Sequence, residues 1–312
     1  MSIYRNNLPQ MNGGIFLTDA GLETDLIFNK DIEIREFAAH TLLPEEKGRA
    51  ALEGYLRGFL ELAKKSDTGF ILDSQTWKAH MHWANDLGAT EGDLQSANQE
   101  AIDFITSLRD EFSDNTKPIV LNGVVGPKGD AYAPDQLLSV DESREYHAQQ
   151  LAWLAKTEVD MVTALTFTQA NEATGFVLAA KDVSLPCVVS FTVETDGNLP
   201  TGQSIAAAIE QVDNDSDSYA AYFMINCAHP DHFSHLLGDE SWARRIKGIR
   251  CNASRLSHAE LDECEVLDDG NPQELGEQYR QIKQTMPWLN IFGGCCGSDL
   301  RHVTEIAKSV CE

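Results

Sequence analysis

The chain has no apolar run approaching the roughly 20 residues that a membrane-spanning helix needs. Met1 to Asn12 carries Arg5 but no apolar stretch of signal-peptide length. A cytoplasmic protein with no membrane partner is therefore expected. Basic residues are scarce: 24 Lys and Arg stand against 49 Asp and Glu, a formal charge of −25. A phosphate backbone is bound through basic patches, so nucleic acid is not an expected partner. The acidic excess reads as a strongly solvated surface. No Pro/Gly/Ser-rich linker divides the chain, so a single domain over residues 1–312 is expected. Cysteines number seven, an odd count at irregular spacing, which is no disulfide framework. Free thiols and metal ligation are the expectation. Cys187 and Cys251 read as small buried residues within strands, and Cys264 and Cys311 as incidental positions near the surface.

What is present is a recurrence: a short apolar run, a turn, then an amphipathic stretch. The runs are Ile15–Thr18, Gly69–Asp73, Ile119–Gly123, Met161–Leu165, Cys187–Val193, Ala221–Asn226, Ile246–Cys251 and Leu289–Phe292. Between them, apolar residues recur at helical spacing. Leu52, Tyr55, Leu56, Phe59, Leu60 and Ala63 make one face, and Ala101, Ile102, Ile105, Leu108 and Phe112 another. A third helix carries Tyr146, Leu151 and Leu154, with Asp141 or Ser143 as its cap. Strands apolar throughout and alternating with helices imply parallel pairing buried on both faces. Eight such units predict the α/β class and a single closed (β/α)8 TIM barrel. An open doubly wound sheet is the runner-up, but no Gly-rich phosphate loop follows the first run.

In a barrel the polar residues at strand exits converge on one mouth, where the active sites of this fold lie. Those exits carry Asp19; Ser74, Gln75 and Thr76; Gly126-Pro127; Thr166; Glu194; Asn226-Cys227; Asn252; and Gly293-Gly294-Cys295-Cys296-Gly297. Adjacent cysteines bond to each other only through a strained ring, yet flanking glycines let both turn toward one ion. Strands six and eight would bring Cys227 to the pair. Three thiolates around Zn2+ leave one tetrahedral position open, the mark of a catalytic site. Histidines offer a competing pattern, His229, His232 and His235 at intervals of three and His80 and His82 around Met81. They read more simply as the polar side of a helix start.

At these residues the chain resembles the zinc-dependent homocysteine S-methyltransferases, which include the betaine and S-methylmethionine enzymes. The resemblance runs from Asp19 to about Cys311. It rests on Asp19-Ala20-Gly21-Leu22-Glu23-Thr24, on Asn226-Cys227 and above all on the Gly-Gly-Cys-Cys-Gly loop. It implies that Cys227, Cys295 and Cys296 bind Zn2+ and that Asp19, Ala20 and Gly21 meet the amino-acid end of homocysteine. It also places Trp77, in Thr76-Trp77-Lys78-Ala79, where the family has an aromatic. The family's amine-binding glutamate at the end of strand four is replaced here by Leu165, leaving Glu172 on the following helix as the candidate substitute.

The chemistry fits these residue types. A free thiol has a pKa near 8.5, and coordination to Zn2+ deprotonates it. In-line attack on an onium methyl group then needs only alignment and exclusion of water. Trp77 and Tyr132 are candidate faces for an onium donor such as S-methylmethionine, S-adenosylmethionine, betaine or dimethylsulfoniopropionate. Two alternatives stay open: a non-catalytic barrel in which zinc clamps strands six and eight and which binds small sulfur compounds, and a zinc-free enzyme with Cys296 as nucleophile. The pattern leaves the oligomeric state open.

Overall fold

The computed structural model describes residues 2–113, 117–132, 136–264 and 266–311. Eight strands follow one another around a closed, all-parallel barrel. They are β1 Phe16–Leu17, β2 Gly69–Asp73, β3 Ile119–Val125, β4 Met161–Phe167, β5 Cys187–Phe191, β6 Tyr222–Asn226, β7 Ile246–Cys251 and β8 Ile291–Gly294. Closure is made by Phe16 opposite Ile291 and Leu17 opposite Phe292. The predicted TIM barrel is therefore the fold.

Alternation along the strands separates two cores. Phe16, Ile71, Val120, Met161, Val188, Tyr222 and Ile291 fill the barrel interior. Their neighbours Leu17, Phe70, Leu121, Val162, Val189, Phe223 and Phe292 pack outward beneath the helices. Those helices are α1 Glu46–Lys65, α2 Glu91–Glu111, α3 Val140–Leu154, α4 Ala170–Asp182, α5 Ile205–Ser216, α6 Pro272–Thr285 and α7 Leu300–Cys311. Both apolar faces read for α1 and α2 are buried, apart from partly buried Phe112 just past the end of α2. The cap of α3 is neither Asp141 nor Ser143. Ser139 accepts from the Glu142 amide while the Glu142 carboxylate accepts from Ser139, a capping box that starts the helix earlier. Between β6 and β7 the expected helix shrinks to the turn Pro230–Phe233 and a 3-10 turn Ser234–Leu236. Among the described residues no helix is long and apolar enough to cross a membrane.

One end of the barrel is closed by the N-terminal segment. Asp160, fully buried, accepts from the amides of Ile3, Tyr4 and Leu121, and Arg5 donates to the carbonyls of Ala155, Thr157 and Val159. The other end, where the strands exit, is left to the site.

Candidate active site

Cys227 follows β6 in a left-handed conformation, with φ of +53°. A non-glycine residue pays for that conformation with strain, so its neighbours must hold it. Its amide donates to the Arg250 carbonyl at 3.1 Å. Its own carbonyl accepts from Asn252 Nδ2 at 3.1 Å and lies 2.7 Å from His258 Nε2. The cysteine pair leaves β8 on a loop held as firmly. Cys295 donates its amide to Cys251, the Cys296 carbonyl accepts from Ala253, and the Ser298 hydroxyl donates to the Cys295 carbonyl at 2.6 Å. Gly297, at φ of +77°, completes the turn and donates to Thr24 Oγ1. A Cβ on Gly293 would collide with Thr18, so the loop and the exit of β1 fit only without a side chain there.

The three sulfurs lie within 4.8 Å of one another, and this is the group of potential metal ligands found among the described residues. Cys227 and Cys295 are joined as a disulfide, contrary to the expectation of free thiols. Three sulfurs aimed at one point are within bonding reach whenever no cation separates them. The other five cysteines are free, Cys187 and Cys251 buried, Cys296 partly buried and Cys264 and Cys311 exposed. The donor set suits a soft tetrahedral ion: Zn–S bonds of about 2.3 Å put sulfurs about 3.8 Å apart, and Cys227 Sγ lies 4.0 Å from Cys296 Sγ. The disulfide must be reduced before all three can bind.

The sulfurs open onto a cleft of about 430 Å3, a volume suited to small ligands. Asp19, Ala20, Gly21, Trp77 and Thr166 line it as read from the sequence; Thr76, Asn226, Asn252 and Glu172 do not. Thr76 instead donates to the Val124 carbonyl at 2.6 Å, tying β2 to β3. Asn226 bridges Thr166 and Ser190, with Nδ2 3.9 Å from Cys295 Sγ. Asn226 and Asn252 thus support the cysteines from behind.

Glu172, the candidate for the substrate amine, lies outside the cleft wall. It is fully buried against His147 at 3.0 Å and accepts from the Lys128 amide at 2.6 Å. Its role is to anchor the segment that carries Tyr132. The Tyr132 ring stacks on His258 with centroids 4.2 Å apart, and its hydroxyl lies 3.4 Å from Cys296 Sγ. Trp77 is fixed by its indole N–H, which donates to the Leu165 carbonyl at 2.9 Å. Lys78 lies 3.7 Å over the Trp83 ring and 5.9 Å from that of Trp77, so one cation already faces these two aromatics.

The sequence reading missed Arg250, whose signal is a second charge, after Lys247, within the run Ile246–Cys251. It is 5% exposed and lies in the cleft wall, paired with both Asp19 and Asp73, with Nε donating to the Gly294 carbonyl. Burial opposes its charge, but the two carboxylates outweigh burial and hold its pKa above the ordinary value. Asp73 also accepts from Asn122 at 2.7 Å. Burial pushes Asp19 up to about 7 in spite of Arg250, with Asp73 and Glu23 adding to the shift.

With this geometry in place, the relatives are informative. Residues 16–310 match the family model described as homocysteine S-methyltransferase. Homocysteine S-methyltransferase 1 of Arabidopsis thaliana is 23% identical over 326 residues, covering 96% of this chain and 94% of that protein. Among solved structures, the oxidised form of the homocysteine methyltransferase MmuM from Escherichia coli superposes with a TM-score of 0.77. It shares 13% identity over 98% of this chain and 99% of that one. The metallated form of the same enzyme covers the same shares with a TM-score of 0.73. At that identity the likeness speaks for the barrel, while the family match spans nearly the whole sequence, the cysteine loop included. The chain belongs to the homocysteine S-methyltransferase family.

Proposed function

We propose that this protein transfers a methyl group from an onium donor to the thiol of homocysteine, giving methionine, at a Zn2+ site made by Cys227, Cys295 and Cys296. The observation that carries the reading is the meeting of three sulfurs from β6 and β8 at the floor of a ligand-sized cleft. When bound, Zn2+ would supply the acceptor sulfur as a thiolate at neutral pH. The chain does the rest. Asn226, Asn252 and His258 fix the cysteines, Asp19 and Arg250 form a polar wall, and Trp77, Trp83 and Tyr132 give apolar faces that exclude water. The acid excess in the cleft, Asp19, Glu23, Asp73, Asp130 and Asp268 against Lys78 and Arg250, favours a cationic donor. A purely structural clamp between β6 and β8 has no use for such a cleft.

The test is a donor screen against homocysteine, with S-methylmethionine, S-adenosylmethionine, betaine and dimethylsulfoniopropionate each offered to the reduced, zinc-loaded protein. Methionine, identified by mass, is the expected product from at least one. No methylated thiol from any of them refutes the reading.

Oxidation supplies a second prediction. A disulfide between Cys227 and Cys295 withdraws two ligands, so mild oxidation of the metal-free protein should abolish both zinc uptake and turnover. Reduction followed by zinc should restore the two together. Thiol counts, metal analysis and activity on one sample decide it: full metal binding by the oxidised protein contradicts a three-sulfur site. Function in a reducing cytoplasm follows from the same requirement.

A further inference from the structure

Five carboxylates line the cleft, and four are met by another residue. Arg250 pairs with Asp19 and Asp73. Asp130 accepts from the Tyr132 amide at 2.7 Å, and Asp268 from the Ser254 hydroxyl at 2.6 Å and the Gly270 amide at 3.2 Å. Glu23 is the exception: among the described residues its carboxylate has a hydrogen bond only with its own backbone. Burial is the main effect that pushes Glu23 up to about 7; its own amide, Arg250 and Lys78 pull the other way. A partly buried carboxylate without a hydrogen-bonded counter-charge gains when a cation reaches it.

The position suits a ligand that also touches the sulfurs. Glu23 belongs to the helical turn Leu22–Thr24, and that turn is bonded to the cysteine loop through Thr24 and the Gly297 amide at 3.1 Å. Gly21, just before it, packs so closely that a Cβ would stand 2.6 Å from the Cys295 carbonyl oxygen. The cleft residue contributed by β4 beside Thr166 is Leu165, which has no charge to offer. Of the cationic groups the reaction brings in, an ammonium, which the acceptor always carries, has N–H donors for a carboxylate. A sulfonium or quaternary ammonium has none and rests better on an aromatic face.

We propose that Glu23 receives the ammonium of the acceptor, so that this residue selects amino-acid thiols over thiols that lack the amine. The assignment rests on the methyl-transfer reading above. Among the described residues Glu23 forms no ion pair, so E23Q should fold normally, which an unchanged thermal unfolding midpoint and zinc content confirm. With homocysteine, E23Q is expected to raise the acceptor KM about 10- to 100-fold, the value of a charge-assisted hydrogen bond, with kcat and the donor KM little changed. With 4-mercaptobutyrate, which is homocysteine without its amine, wild type and E23Q should perform alike.

The outcomes separate the two claims. Wild-type protein that methylates no thiol sinks the functional reading, and the Glu23 assignment with it. Active wild type, with E23Q impaired equally on both thiols or in donor KM alone, overturns the Glu23 assignment and leaves the methyltransferase intact.

Discussion

Cys296→Ala should lower turnover by about three orders of magnitude and reduce bound zinc from about one ion per chain to a small fraction, because a tetrahedral site loses one of its three protein ligands. Of the three cysteines this one gives the clearest result. Cys227 and Cys295 can close a disulfide with each other, so removing either also removes a route of oxidation. Cys296 stands outside that bond, with Tyr132 beside it, and is only partly buried, so its loss leaves little cavity. Metal content by elemental analysis and methionine formation under saturating zinc should fall in parallel. Turnover within a few-fold of wild type would remove the three-sulfur site from the mechanism. A wild-type protein that turns over without bound zinc, and loses that turnover on Cys296→Ala, would instead point to the zinc-free alternative with Cys296 as nucleophile.

The barrel was legible because burial on both faces leaves a continuous apolar run, which depends on little besides local composition. Gly69–Asp73 and Ile246–Cys251 were delimited to the residue, and the other six runs came within two residues at either end. The order of the runs then placed every exit residue at one mouth, and so Cys227 beside Cys295 and Cys296. Partners across that mouth were not legible in the same way. Nothing local distinguishes Glu172, turned back to His147, from Glu23, turned to the cleft; both are acids at the start of a helical stretch. Which way each faces depends on the register of β4 and on the approach of Gly21 to the cysteine loop, and both are three-dimensional facts. His258 was passed over for a similar reason. Its ring reaches the Cys227 carbonyl from the β7 exit, 31 positions further along the chain. The missing helix after β6 has a local cause: Pro230 starts a turn that gives way to 3-10 geometry by Ser234.

Arg250→Met should be the most destabilising single change in the wall of the cleft, costing about 3–5 kcal/mol of folding free energy, the usual penalty for removing one partner of a buried ion pair. The side chain of Met follows the aliphatic stem of Arg but leaves Asp19 and Asp73 facing each other in low dielectric, without the cation that both now contact. Like charges brought together by burial raise each other's pKa above the unfolded value. Asp19 is already at about 7 with Arg250 present. In the variant Asp19, left without its cation, should therefore take up a proton more readily when folded than when unfolded. The sign follows: the penalty is complete where folded Asp19 is ionised and shrinks as pH falls through its raised pKa, because protonation removes the repulsion. Urea unfolding at pH 8 and pH 5 should show the gap between wild type and Arg250→Met narrowing in acid. Adding Asp19→Asn and Asp73→Asn to Arg250→Met should recover much of the loss at pH 8, since a network removed whole costs far less than one broken in half. A loss below about 1 kcal/mol, or a gap independent of pH, would show that the triad is not the buried electrostatic unit described here.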